Sequence, residues 1–395
     1  MFYGCVKLQP VAYQDDVGHA NKDVHHAQVG NIKLACMLQD KGLQAHKDKT
    51  CFIVFGSKEY KRKAQQDLES NPLMFGDFTL KQRASEKYLG QVFHTDGLSR
   101  SSEATVEERS GRIRGASIEV KAIIEEFEMQ AMGGLMAAWE LWEKALVPSL
   151  LSGAGTWIGE ASRAVNLCDN IQNFFWRVVL RVPESCPKLA LRCETGMIGM
   201  KWRVWLEKVA LLVRIQNKKA NTLCKRIYEE GKVKGWPGLS QEVSDICAEI
   251  GIPDVNHNVV ENRRIKEAIF MHHYKDMKKA LEHSSKLESI KHEDFRKPQS
   301  YMHDICIENG RMAFRIRSKM VDSIPENFKN KYKKDPQGLI CSYCSSGEIF
   351  SQSHCLECPA WQDIREGLDM KDMKDLTMFF RKLLSERSKL EGKKA

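Results

Sequence analysis

Pro10-Val11-Ala12-Tyr13-Gln14-Asp15-Asp16-Val17-Gly18-His19 sets two adjacent carboxylates between short apolar or aromatic arms. Successive side chains of a strand alternate faces, so neighbouring aspartates reach one site only where the backbone turns. A tight turn at Asp15-Asp16 meets that condition, and the stretch reads as a β-hairpin. Adjacent carboxylates repel each other, and a divalent cation of the magnesium class, which takes hard oxygen ligands, relieves the repulsion. Two such ions about 4 Å apart polarise an attacking hydroxyl and stabilise a leaving phosphate, as in polymerases and nucleases. A solvated turn is the alternative for any lone Asp-Asp pair.

Downstream, Val24, Ala27, Ile32, Ala35 and Leu38 recur at near-helical spacing and predict a helix over Asp23 to Gln39, ending near Gly42. Gly42-Leu43 and Lys49-Thr50 precede Cys51-Phe52-Ile53-Val54-Phe55, a continuous apolar run closed by Gly56 that predicts a strand buried on both faces. Phe75 to Leu80 and Lys87 to Phe93 predict two more short extended segments, the second containing Tyr88-Leu89-Gly90. This order, aromatic-x-Asp-Asp, Gly-Leu with Lys-Thr before an apolar strand, then Tyr-Leu-Gly, resembles the end of the palm in reverse transcriptases of LINE-type (non-LTR) retrotransposons. The resemblance implies that Asp15 and Asp16 hold magnesium. It also implies that Tyr13, Tyr88 and Gly90 lie beside nucleic acid, in part through a hairpin that holds the primer end. Lys49 falls at the lysine of the Lys-Thr motif, where it could act as an electrostatic clamp or general acid near a departing pyrophosphate. A solvated loop lysine is the alternative there.

The period changes at Ser99. Val106, Ile113, Ala116, Val120, Ile123 and Phe127 recur at helical steps, and Thr105 with Glu108 offers a capping box. Gly133-Gly134 interrupts this helix, Leu135 to Leu146 resumes it, and Pro148 is expected to stop it. Further helices are predicted at Ala161 to Leu180, ended by Pro183, and at Lys201 to Gln216. Trp139, Trp142, Trp157, Trp176, Trp202 and Trp205 fall here, as a helical core or as a surface that stacks on bases. A helical bundle after a palm resembles the thumb that tracks a template–primer duplex, and Arg177 and Arg181, with Arg163, Arg203 and Arg214, could meet phosphates from its polar faces. Residues 217–335 are more polar and lysine-rich, with helices expected near Ala220 to Glu230, Gln241 to Ile250 and Arg263 to Leu281. Lys331 and Lys333 flank Tyr332 in a basic run that suits a single-strand-binding segment or a solvated linker.

Cys341-Ser342-Tyr343-Cys344, nine intervening residues, His354, three more, then Cys358 form the second strong signal. Cys-x2-Cys on a tight turn places two thiolates on one side of a cation, and His-x3-Cys places two ligands one helical turn apart. Four such ligands make a closed tetrahedral zinc site of structural type, suited to holding a small module that touches nucleic acid. Cys355, next to His354, competes for the fourth position. The motif, followed by Pro359-Ala360-Trp361, also resembles the C-terminal zinc-binding segment of LINE-type reverse transcriptases. From Asp369 an amphipathic helix runs through Leu376, Phe379, Phe380, Leu383 and Leu384 to a lysine-rich tail.

The 395 residues and 42% hydrophobic content suffice for two or three folded units. The expected fold class is α+β, mostly α. It comprises a partial palm-type sheet (1–98), a helical thumb-like region (99–216), a basic helical connector (217–335), a zinc module (336–368) and a C-terminal helix and tail (369–395). A net charge of +9 suits a polyanionic partner or simply a basic protein. The 13 scattered cysteines read as reduced thiols. No signal-peptide pattern opens the chain, and no apolar run approaches the roughly 20 residues that span a bilayer, so a nuclear or cytoplasmic protein without a membrane partner is expected.

The resemblance implies copying of an RNA template onto a DNA primer. In that family a third metal-binding aspartate and a fingers subdomain precede the hairpin, and none can fit before Tyr13. Gln14 and the polar Gly18-His19 arm also depart from the family pattern. The sequence therefore reads as a C-terminal portion, inactive alone and possessing a missing N-terminal half as partner. The alternatives are a non-catalytic nucleic-acid-binding remnant and a folded relic.

Overall fold

In the computed structural model the described residues are 11–13, 16–126, 133–157, 162–220, 222–235, 238–252, 259–284, 287, 290–291, 293–304, 306–321, 324 and 339–392. Helices dominate and the strands are few and short, an α+β chain that is mostly α. Two compact units are formed, one from residues 1–110, 151–168 and 204–266, the other from 111–150, 169–203 and 267–395.

In the first unit, β1 (Val11–Tyr13) and β2 (Asp16–Gly18) pair antiparallel, with Tyr13 opposite Asp16. Helix α1 (Val24–Asp40) follows, its N-terminus capped by the Asp23 carboxylate, which accepts from the His26 N–H at 2.8 Å. Then come β3 (Cys51–Phe52), α2 (Lys58–Ser70), β4 (Met74–Phe75), β5 (Phe78–Thr79), β6 (Lys81–Gln82), β7 (Ser85–Tyr88) and β8 (Gln91–His94). Leu34 of α1, Leu68 of α2, and Leu73, Phe75 and Leu80 form a buried cluster on which Val17 of β2 also packs. That contact ties the aspartate hairpin to the core of its unit.

The strands form four separate two-stranded ladders among the described residues, with β3 pairing β6 in parallel and the others closing hairpins. The strand expected over Cys51 to Phe55 is correspondingly short. Cys51 to Val54 are half-buried and Phe55 is exposed, so this run is not buried on both faces. The cause is local: β3 pairs with only one strand, and the Cys51 thiol faces Glu86, itself bound by Arg83.

Helix α3 (Leu98–Glu126) begins before the expected capping box. Thr105 lies inside it, and its hydroxyl donates to Ser101 O at 2.8 Å while accepting from the Val92 N–H at 2.8 Å. The threonine thus fastens β8 to the helix instead of starting it. After Gly133, with φ 92°, come α4 (Gly134–Leu141), a π-helical turn (Trp142–Leu146) and α5 (Val147–Leu151). Pro148 does not stop the chain here: the wider π turn just before it changes the hydrogen-bond register where proline has no N–H to give.

The remaining helices are α6 (Ser162–Leu180), α7 (Lys188–Thr195), α8 (Met200–Gln216), α9 (Leu223–Val233), α10 (Leu239–Glu249), α11 (Val259–Glu282), α12 (Tyr301–Asp304), α13 (Ile307–Arg317), α14 (Gln352–Glu357), α15 (Gln362–Arg365) and α16 (Met373–Gly392). Trp142, Trp157, Trp176 and Trp202 are buried, which favours the helical-core reading of the tryptophans. Trp139 is half-buried and its indole N–H donates to Thr195 O at 3.0 Å. In the second unit the fully buried Arg311 guanidinium donates to Val179 O at 2.8 Å and to the carboxylates of Glu308 and Glu125 at 2.6 and 3.1 Å. Among the described residues no helix is long and apolar enough to cross a membrane.

Candidate metal centre

The backbone of residues 339–351 folds back on itself. Ile340 bridges Ile349, Cys341 N–H donates to Glu348 O at 2.8 Å, and Phe350 N–H donates to Leu339 O at 2.7 Å. The Cys341–Cys344 turn is thereby held at one end of this loop, with Gly347 supplying the left-handed residue (φ 73°) that closes it. The other two ligands come from α14. Ser351 caps that helix by accepting from the His354 N–H at 2.9 Å, and the Cys358 N–H donates to His354 O at 2.7 Å, so His354 and Cys358 stand one turn apart.

Four donor atoms converge: Cys341 Sγ, Cys344 Sγ, His354 and Cys358 Sγ all lie within 4.8 Å of one another. Cys341 Sγ is 4.0 Å from Cys358 Sγ, and Cys344 Sγ is 3.4 Å from His354 Nε2. A zinc tetrahedron with bonds of about 2.3 Å to sulfur and about 2.0 Å to nitrogen has edges of about 3.5–3.8 Å, so the donor set has the chemistry of a Cys3His site and comes within about 1 Å of its size. The cluster could hold a metal such as zinc. With four protein ligands a bound ion would have no open position, as in zinc sites of structural type.

The surroundings fit that role. His354 Nδ1 lies 2.6 Å from Glu348 Oε2, so Nδ1–H donates to the carboxylate and the Nε2 lone pair is left for the cation. Arg365 donates to the backbone carbonyl of Cys358 at 2.7 Å and fixes the last ligand from behind. The Ser346 hydroxyl and N–H bond to the Cys344 sulfur and bring that thiol down to about 6, whereas burial pushes Cys358 up to about 12. A bound cation deprotonates its thiol ligands outright and so removes this difference. Cys355, fully buried and pushed up to about 12 by burial, belongs instead to the apolar cluster with Phe350, Trp361, Phe379 and Phe380. The convergent donor set is therefore Cys341, Cys344, His354 and Cys358. Glu348 and Arg365 carry no spacing signal and are visible only in three dimensions.

The other candidate residues are distributed as follows. Asp15 lies outside the described residues, and Asp16 is placed by its backbone in β2, where it pairs with Tyr13. The Tyr88 ring lies against Gly18, where a Cβ would stand 3.3 Å from it, so the aspartate hairpin and the Tyr-Leu-Gly segment are neighbours within the first unit. Leu89 and Gly90 have φ of 47° and 75°, the signature of a type I′ hairpin turn, and Gly90 O accepts from the buried Arg109 at 2.6 Å. Lys49 is exposed in the turn after His46, with its own N–H donated to His46 O. In the second unit Arg177 donates to Cys186 O at 3.0 Å, and Arg181 is ion-paired with Glu125 and Glu308 at 2.8 and 3.1 Å. Lys331 and Lys333 lie outside the described residues. The chain matches no protein-family model, no curated protein and no solved structure.

Proposed function

We propose that this chain is a C-terminal portion of a LINE-type reverse transcriptase, an RNA-directed DNA polymerase. In this reading the first unit includes the end of a palm, helices of the 99–216 region form a thumb, and the Cys3His module holds the C-terminal segment against nucleic acid. The reaction is attack of a primer 3′ hydroxyl on a nucleoside triphosphate, with RNA as template. Asp15 and Asp16 would hold magnesium, which when bound polarises that hydroxyl and stabilises the departing pyrophosphate. The contact between Gly18 and the Tyr88 ring carries the reading, because it sets side by side two motifs that are far apart in sequence and that the family uses around the primer end. The convergent Cys3His donors supply the third motif in family order.

Arg177 and Arg181 are engaged internally, so their contribution to phosphate binding would require exchange of an existing partner. The test is fluorescence anisotropy of a labelled RNA–DNA template–primer with the zinc-loaded chain. The expected result is binding that weakens steeply with salt. Absence of salt-dependent binding would contradict the reading. A basic, metal-stapled protein that binds nucleic acid without catalysis also gives salt-sensitive binding, weakened by Cys344→Ser and unaffected by Asp15→Ala, but a different contact with the primer 3′ end.

A further inference from the structure

An open groove of about 460 Å³ lies between α13 and α16 in the second unit, large enough for a nucleotide-sized group. Its α16 wall presents Lys374, Asp375, Met378, Arg381, Lys382 and Ser385, which recur at steps of one, three, three, one and three and share one helical face. The opposite face of α16 buries Phe379, Phe380 and Leu383 in the apolar cluster around the metal centre, so packing accounts for the inner side.

The outer side is positive. Among the described residues Lys374, Arg381 and Lys382 are ion-paired with no carboxylate, in contrast to Arg181, Arg203, Arg311 and Arg317, each of which is paired. Three cations on one face repel one another. A concave wall focuses their field. The Asp375 carboxylate also lines the groove, its Oδ2 accepting from the Asp369 N–H at 2.9 Å, and it offsets one of the three cations, which leaves the face with a net positive charge. Arg381 is oriented across the groove, its Nη1 donating to Asn309 Oδ1 of α13 at 2.7 Å, which leaves its remaining guanidinium donors for an anion.

We propose that this groove binds the phosphodiester backbone of nucleic acid, with Lys374, Arg381 and Lys382 as the phosphate contacts. The proposal rests on the nucleic-acid reading above and names the surface that serves it. Charge complementarity selects the occupant. A lipid surface fits less well, because Met378 is the one large apolar side chain on this face and offers little to insert.

The measurement is the salt dependence of binding of the full, zinc-loaded chain to a short labelled RNA–DNA heteroduplex. Each phosphate contact contributes about 0.7–0.9 to the slope of log affinity against log salt, so the combined variant Lys374→Gln, Arg381→Gln, Lys382→Gln should lower that slope by about 2–3. Lys144→Gln, which removes a surface ammonium already paired with Glu140 at 2.8 Å, should leave it unchanged. All three groove positions are exposed, so the fold is retained, and unchanged circular dichroism verifies this. An unaltered slope in the combined variant, with the parent binding well, overturns the groove and spares the nucleic-acid reading. No binding by the parent overturns both. Loss of adhesion to phosphatidylserine vesicles in the variant, with heteroduplex binding intact, reassigns the groove to membranes and overturns the proposal.

Discussion

Stripping the metal with a chelator should open residues 339–361 while leaving α16 docked on α13. Without an ion, the loop that carries Cys341 and Cys344 is closed by the pair of backbone hydrogen bonds that flank the Ile340–Ile349 bridge. At about 1 kcal/mol net each, these supply about 2 kcal/mol. A structural zinc in a comparable ligand set contributes about 10–16 kcal/mol, as much as the whole stability of an ordinary domain, so its loss decides the state of the loop. The docking of α16 has another source. Phe379, Phe380 and Leu383 are buried in one cluster with Met312 and Ile316 of α13 as well as with Phe350 and Trp361 of the metal module; each such side chain contributes about 1.5–3 kcal/mol, and the part of that burial made against α13 does not depend on the ion. Amide hydrogen exchange read by mass spectrometry, with and without chelator, separates the two. Protection should collapse across 339–361 and persist across 374–386. Undiminished protection in 339–361 would show that no metal holds the module, and parallel loss in both segments would refute the independence of the helix packing.

Glu348→Gln should weaken zinc binding by about 10- to 100-fold in competition with a chelating dye, because the carboxylate that orients His354 is lost while all four ligands remain. Thr105→Val should cost about 1–3 kcal/mol in urea unfolding, since the Val92 N–H loses its acceptor and the substituted side chain stays buried. His273, buried beside Trp202, is brought down to about 4, first by burial and then by Arg192. Its folded value lies below the ordinary 6.5, so the unfolded chain binds the extra proton first and stability falls as pH drops from about 6.5 to about 4. The loss amounts to about 3 kcal/mol, and His273→Gln should flatten denaturant midpoints across that window.

The parts legible in the sequence were those whose signal is local. Helix α1 follows from its apolar spacing and the Asp23 cap, α16 from its paired phenylalanines and leucines, and the metal centre from spacing alone, because a Cys-x2-Cys turn and a His-x3-Cys helical turn leave the ligands little freedom. Helix α2 escaped because only Ala64 and Leu68 of its thirteen residues are buried. Helix α13 escaped because its buried face carries Arg311, whose charge hides the apolar period and is satisfied by Glu125, far away in the chain. Helix α7 had a usable signal in Pro187 before it and Gly196 after it, the usual order of helix start and stop. Thr105 misled for a different reason. Its hydroxyl does bond a backbone N–H, but that N–H belongs to a strand, and cross-element partners are invisible to a rule written for neighbours.

The central claim concerns the primer end, and photocrosslinking from a reactive base at the primer 3′ terminus of an RNA–DNA template–primer tests it most directly. If the chain is the C-terminal portion of a LINE-type reverse transcriptase, the crosslinked peptides map to residues 13–19 and to Tyr88–Gly90, the two segments joined by the Gly18–Tyr88 contact. Crosslinks confined to the metal module and basic helices would contradict the polymerase reading and leave nucleic-acid binding without catalysis.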